Sequence, residues 1–431
     1  MNKGKTPWLW VPTLYFAEGI PYFIVNVVSV TMFKRMGMGN ADLAMYTSLL
    51  YLPWVIKPLW SPLVDVVRTK RWWILMMQVL MTACFAGLAL SLPSRTGEPV
   101  GAFTLCLIIF YISAMLSATH DIAADGYYML ALDEHQQSLF VGIRSTFYRI
   151  ASVFGQGVIV VVAGLLETRY GDIPKAWTVT LLLSSAIFLA VTVWHQFVLP
   201  SERNVIPSEA KESGEAKESS RSFLSAFATF FRKPGVWLAI VFMLLYRLPE
   251  ALSVKMLTPF MLDAPEAGGL GLSTAQSGLV YGTVGVIALT IGGILGGIWS
   301  ARVGLRKALW PMALALALPC SVYLYMALTQ PSNIITIYFC VALDQFGYGF
   351  GFTAYMLYMM YFSQGEYSTS HYAVCTAFMA LSMMIPGFFA GMLQESLGYA
   401  GFFVLVMVCC LATVAVTAIL PSRIDPQFGR K

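Results

Sequence analysis

Apolar residues in this chain fall into long, nearly uninterrupted runs, separated by short polar stretches. The runs are read at 8–33, 43–66, 72–92, 100–132, 138–166, 176–199, 236–262, 274–299, 306–329, 333–362, 371–393 and 398–420. A run of about 20 apolar residues is the length of helix that crosses a bilayer. No alternating period of two, the mark of strands, competes with this pattern. Twelve spans are therefore expected, numbered 1 to 12 here, in an all-α membrane protein. The first run is too long for a signal sequence, carries Glu18, and is not followed by a small-residue cleavage site.

Composition agrees with this pattern. Hydrophobic residues make up 58% of the 431 and charged residues only 11%, against about 25% charged in an ordinary soluble domain. The net charge of +5 is spread between spans and forms no basic patch, so nucleic acid is not an expected partner. All seven cysteines lie inside apolar runs without CxxC spacing and read as small core residues.

The basic residues orient the chain. One side collects Lys3, Lys5, Arg68, Lys70, Arg71, six in the central loop, Arg302, Arg306, Lys307, Arg423, Arg430 and Lys431. The other side has Lys34, Arg35, Arg95, Arg169 and Lys175. Such an excess faces the cytoplasm, which puts both termini there. Residues 201–235 divide the chain into halves, 1–200 and 236–431. Within that loop, EAKESGEAKES at 209–219 has linker composition. Phe223, Phe227, Phe230 and Phe231 then recur at helical spacing, predicting a short amphipathic helix on the membrane surface.

Charges inside the spans carry the candidate chemistry. Lys57, Arg144, Arg149, Arg247 and Lys255 face the acids Glu18, Asp121, Asp125, Glu250 and Asp344, with Asp65 at a span end. Each costs about 2.5–3.5 kcal/mol at the bilayer centre on insertion scales, so they must pair or meet water. They occupy spans 1, 2, 4, 5, 7 and 10, whereas spans 3, 6, 9 and 12 carry none beyond their ends. Glu18, Arg247, Glu250 and Asp344 lie at mid-depth, Lys255 nearer the outer end, and the others in the cytoplasmic halves. Arg247 and Glu250, three apart, share a helical face, as do Asp121 and Asp125, four apart. Two such carboxylates raise one another's pKa while nearby arginines lower it, and that competition suits either a proton-linked switch or a static gate. His120 points off the Asp121 face, which argues against a metal site, and His371 is expected at the interface. Span 10 is rich in aromatic residues, among them Tyr348 and Tyr355, and places Gln345 beside Asp344. Tyrosines there suit either lipid contact or stacking on a sugar ring. Glycines at four-residue spacing in span 8 read as close helix packing.

The two halves repeat one junction. Ser61-Pro-Leu-Val-Asp65-Val-Val-Arg68-Thr-Lys70-Arg71 lies between spans 2 and 3, and Gly297-Ile-Trp-Ser-Ala301-Arg302-Val-Gly304-Leu-Arg306-Lys307 between spans 8 and 9. These junctions resemble the cytoplasmic loop motif of the major facilitator superfamily, with Ala301 standing where the first half has Asp65. The resemblance implies two six-helix bundles, every third helix an outer scaffold, and the substrate site between the halves near mid-membrane. Finer strings are similar to the AmpG-type muropeptide permeases and their acetyl-coenzyme A transporter relatives. They are Glu18-Gly-Ile-Pro21, Lys57-Pro-Leu-Trp60-Ser61-Pro62-Leu-Val-Asp65, His120-Asp121-Ile-Ala-Ala-Asp125, Tyr148-Arg149 and Leu245-Tyr246-Arg247-Leu-Pro-Glu250.

That family resemblance implies a monomeric, proton-driven importer of N-acetylglucosaminyl-anhydro-N-acetylmuramyl sugars and peptides in the bacterial inner membrane. The proton gradient would replace any cofactor. Proton coupling is expected of Glu18, Asp121, Asp125, Glu250 and Asp344. Substrate contact is expected of Lys57, Arg149, Arg247, Lys255, Gln345, Tyr348 and Tyr355, and gating of Asp65, Arg68, Arg71 and Arg144. His120 and Lys255 depart from the family strings, and another anionic solute, acyl-coenzyme A-like or siderophore-like, is the alternative. An enzyme is not expected. The chain has no HExxH helix and no P-loop, and Asp121-x-x-x-Asp125 lacks the second acidic cluster that a metal-diphosphate site needs.

Overall fold

A computed structural model describes residues 7–201, 227–365, 367–426 and 428. The described residues are helical with short connections, and ten helical segments are long and apolar enough to cross a bilayer. The last of these, Ser370–Arg423, covers two expected spans. Gly398 breaks it with φ 66° and ψ 171°, a conformation glycine adopts without a Cβ clash. The two six-helix bundles of the expected fold account for this layout.

Span 2 differs from the expected single helix over 43–66. It is built of Asn40–Leu49, Leu52–Ile56, a 3-10 turn Lys57–Leu59 and Ser61–Val66. Pro53, Pro58 and Pro62 cause the breaks, because each removes a helix N–H and crowds the preceding turn. The lost regularity puts Lys57 on a turn rather than on a continuous helix wall. Span 7 also restarts: Val236–Leu245 ends, Arg247 leaves helical geometry, and Leu248–Leu262 begins with Pro249 in its first turn. Three π-helical stretches interrupt spans 1, 5 and 8, at Ile24–Val28, Val153–Ile159 and Gly278–Gly285. Such bulges re-aim side chains and gather near functional sites.

The halves meet through spans 5 and 8 and through spans 2 and 11, and glycine sets the approach. A Cβ on Gly282 would lie 2.1 Å from the Gln156 carbonyl oxygen, and one on Gly391 would lie 1.9 Å from that of Asn40. Backbones this close leave no room for a side chain. Away from these seams, large apolar side chains such as Leu90, Phe197, Leu328 and Leu411 are exposed, which only a lipid environment makes tolerable.

Part of the expected linker helix, including Phe223, lies outside the described residues. Phe227 to Phe231 are described, and they do not simply lie on a surface. Phe230 is fully buried, with its ring against Phe362, His371 and Phe378. His371, expected at the interface, is buried below it and hydrogen-bonds Thr229 at 3.1 Å. The aromatic spacing is helical, but it anchors the start of the second half.

Candidate functional site

The intramembrane charges form two clusters, one in each half. In the first half Lys57 pairs with Asp121, joining spans 2 and 4. Arg144 pairs with Asp125 at 2.8 Å, joining spans 5 and 4. The Tyr15 hydroxyl donates to the same Asp125 oxygen at 3.1 Å, and its ring lies 4.5 Å below the Arg144 guanidinium. Both partners of the Arg144–Asp125 pair keep about a third of their surface, at 33% and 37%, so water reaches this end of the cleft. Asp121 and Asp125 therefore each hold a different cation instead of contesting one. Glu18 on span 1 is a further carboxyl neighbour of Asp121 and Asp125. Glu18 is buried, and its Oε2 has no partner among the described residues.

The second cluster grows from the break in span 7. The Arg247 guanidinium donates to both Glu250 oxygens, at 2.7 and 3.1 Å, and to the Tyr348 hydroxyl at 2.9 Å. It also lies 4.7 Å from the Phe352 ring centroid and 5.7 Å from that of Tyr355. A forked, charge-assisted pair under aromatic rings is the geometry in which a buried arginine is best compensated. Arg144, expected in the cytoplasmic half of span 5 with a gating role, lies in the first cluster through Asp125 and Tyr15. Arg71 donates to the carbonyls of Leu199 and Gln196, tying the loop before span 3 to the end of span 6. Arg68 holds φ 66° in that loop.

Tyr355 and Asp344 make their hydrogen bonds within the second half. Tyr355 is fully buried, donates to the Met243 carbonyl at 2.8 Å and stacks on Tyr246, so it fastens span 10 to span 7. Asp344 faces the scaffold span 9, accepting from Tyr323 at 2.5 Å and from Gln345 at 2.9 Å.

Between the clusters stand aromatic residues that the sequence did not single out as site residues. Tyr22 has Trp54 at 5.2 Å, Tyr148 at 6.4 Å and Tyr51 at 6.5 Å between ring centroids. Tyr281 of the opposite half lines one cavity with Tyr51. Single tyrosines in a chain with 21 of them carry no local signal; only the fold gathers them. Arg149 enters the same space from span 5. Its guanidinium reaches the Gly293 face of span 8 and the neighbourhood of Tyr348, with no carboxylate in ion-pairing distance among the described residues.

One end of the cleft is sealed. Lys34 pairs with Asp263 at 2.5 Å. Asn40 donates to Gln394 at 2.6 Å and Asp263 at 3.3 Å, and Glu395 accepts from the Ala41 amide at 2.8 Å. Glu167 accepts from Thr274 at 2.7 Å across the seam while pairing with Arg35 at 2.9 Å. The hydrogen bonds that join the halves among the described residues gather at this end. None of these partners is nearer than a hundred residues in sequence to its mate across the seam, which is why spacing could not reveal them.

Comparison with known proteins agrees with this architecture. Residues 13–369 match the model of the Major Facilitator Superfamily. The chain is 23% identical over 397 residues to the anhydromuropeptide permease of Escherichia coli K12, covering 90% of this chain and 74% of that one. An uncharacterized protein of Haemophilus influenzae is likewise 23% identical over 406 residues, covering 90% of this chain and 88% of that one. Among solved structures, a bacterial homologue of the human lysosomal transporter Spinster, inward-facing and unoccupied, superposes with a TM-score of 0.75 at 14% identity, with 98% of each chain covered. A D-xylose-proton symporter superposes at 0.71 and 15% identity, again with 98% of each chain covered. The chain belongs to the major facilitator superfamily and is a multi-pass membrane transporter rather than an enzyme.

Proposed function

We propose that this transporter imports anhydro-muropeptides, N-acetylglucosaminyl-anhydro-N-acetylmuramyl sugars with or without peptide, by proton-coupled alternating access. It would do so in a bacterial inner membrane, with both termini in the cytoplasm and bundles 1–200 and 236–431 rocking about the linker 201–235. The observation that carries the reading is Arg149. Lys57, Arg144 and Arg247 are neutralised by acids of their own half, whereas Arg149 stands near Tyr348 with no carboxylate in ion-pairing distance among the described residues. An uncompensated guanidinium there attracts a carboxylate in bidentate fashion, and tyrosine faces beside it accept the apolar face of a sugar ring. The likeness to the E. coli permease favours muropeptide over other anionic solutes.

Proton coupling is supported by the first cluster. Glu18, Asp121 and Asp125 share their field with two cations, Lys57 and Arg144, which leaves one carboxylate over. A proton held among Glu18, Asp121 and Asp125 would balance that third carboxylate. The proton leaves when the cluster opens to the cytoplasmic side, where Asp125 and Arg144 already meet water. Counterflow in proteoliposomes tests the substrate without any gradient. Vesicles preloaded with unlabelled N-acetylglucosaminyl-anhydro-N-acetylmuramic acid should take up the labelled sugar transiently, and Arg149→Gln should abolish the overshoot. An overshoot driven by an acyl-coenzyme A but not by the muropeptide would replace this substrate with the other anion.

A further inference from the structure

Lys255 stands outside both clusters. It lies on span 7 and is only 5% exposed. Its ammonium donates one hydrogen bond, to the Thr47 hydroxyl at 3.1 Å, and Thr47 passes its own proton to the Leu43 carbonyl. No carboxylate pairs with it among the described residues. The Tyr51 ring centroid lies 5.5 Å away, which compensates a cation only in part. An ammonium has three donors, so two have no hydrogen-bond partner among the described residues.

A small, partly open and largely apolar cavity adjoins it, whose polar lining is Asn26, Tyr51, Lys255, Thr258 and Tyr281, with about 20 Å³ of free space. That is room for one water-sized occupant, far too little for a sugar or a peptide. Asn26 spends one amide N–H on the Tyr22 carbonyl at 3.1 Å and has a second, while its Oδ1 is buried without a partner among the described residues. Ser48, whose hydroxyl is buried without a partner among the described residues, lies with Lys255 against the Gly387 face of span 11. The pocket thus offers several donors, one of them charged, against one neutral acceptor, the Asn26 Oδ1, and no carboxylate lines it among the described residues. Its walls come from spans 1, 2, 7, 8 and 11, so it exists only while the halves are together at the sealed end.

We infer that this cavity is a binding site for one small inorganic anion of halide size, held by Lys255 and captured when the outer seam closes. The site adjoins the solute cleft, sharing Tyr51 and Tyr281 with it, but it is too small for the solute and does not rest on the muropeptide reading. An anion there supplies the counter-charge that burial of an ammonium requires, and it makes the sealed state depend on the anion by mass action.

The test uses purified full-length transporter in detergent, at fixed pH and ionic strength, with chloride replacing gluconate stepwise. Thermal unfolding of the wild type should shift upward and saturate. The shift should vanish in Lys255→Met and persist in Arg149→Gln. Thr258→Val, which keeps shape and removes one lining hydroxyl, should raise the half-saturating chloride about threefold to tenfold, and it keeps the question open to measurement if Lys255→Met does not fold. Bromide introduced into crystals should give one anomalous peak beside Lys255. A wild type indifferent to chloride, an equal shift in Lys255→Met, or an unmoved half-saturation in Thr258→Val would overturn the assignment. An uncharged Lys255 beside a bound water gives the first of these results.

Discussion

A methyl group on Gly282 should unseat the sealed state without touching the solute cleft. The new Cβ would stand 2.1 Å from the Gln156 oxygen, 2.2 Å from its carbonyl carbon and 2.4 Å from the Gly157 nitrogen. Ordinary contact begins near 3.4 Å, so spans 5 and 8 must part by more than about 1 Å. All three atoms are backbone, and no rotamer can move them aside. Overpacking of this kind costs about 1–3 kcal/mol, and here the cost falls only on the conformation in which the seam is closed. An equilibrium balanced between sealed and open would then shift by roughly 5- to 150-fold toward open, from 1.4 kcal/mol per factor of ten. Spin labels at Ala41 and Glu266, on either side of the seam, read the change directly. Gly282→Ala should convert a short distance distribution to a long one and slow uptake in parallel. Gly297→Ala on the same span, with nothing within 4 Å of its added Cβ, is the matched control. Wild-type distances and uptake in Gly282→Ala would refute the claim that this seam must close in each cycle.

Other predictions concern the clusters. Arg247→Ala leaves Glu250 buried and unpaired and should destabilise the protein by about 3–5 kcal/mol, whereas the double change Arg247→Met, Glu250→Leu should recover most of the unfolding midpoint while still failing to transport. Asp125→Asn and Glu250→Gln should each express normally and lose concentrative uptake; wild-type accumulation by either removes that residue from the coupling machinery. Arg149→Lys should retain part of the counterflow signal and Arg149→Gln none, because a lysine preserves the charge but not the planar fork. Equal retention in both would point away from anion recognition by this residue.

What the sequence disclosed follows from how local each interaction is. Arg247 and Glu250 are three residues apart, so their pairing could be read from helical period alone, and the structure has it. Lys57–Asp121 and Arg144–Asp125 were visible as a charge set but not as pairs, because partners on different helices carry no spacing signal. For the same reason Asp121 and Asp125 looked like one dyad, while the fold gives each its own cation and brings Glu18 to Asp121. The prolines of span 2 were in plain view at 53, 58 and 62, yet hydropathy is blind to them and called for one helix. Tyr355 and Tyr348 were indistinguishable members of one aromatic run. Only packing sends the first into the bundle core and the second to Arg247. The seam of Lys34, Asn40, Asp263 and Gln394 was not legible at all, since its order comes from how two bundles dock.

The most direct measurement is uptake of labelled anhydro-muropeptide into proteoliposomes with and without an imposed pH gradient, acid outside. Accumulation above the external concentration with the gradient, collapsing on adding a protonophore and absent in Asp125→Asn, is the predicted result. Equal uptake with and without the gradient, or none in either case, contradicts a proton-driven path through these charges.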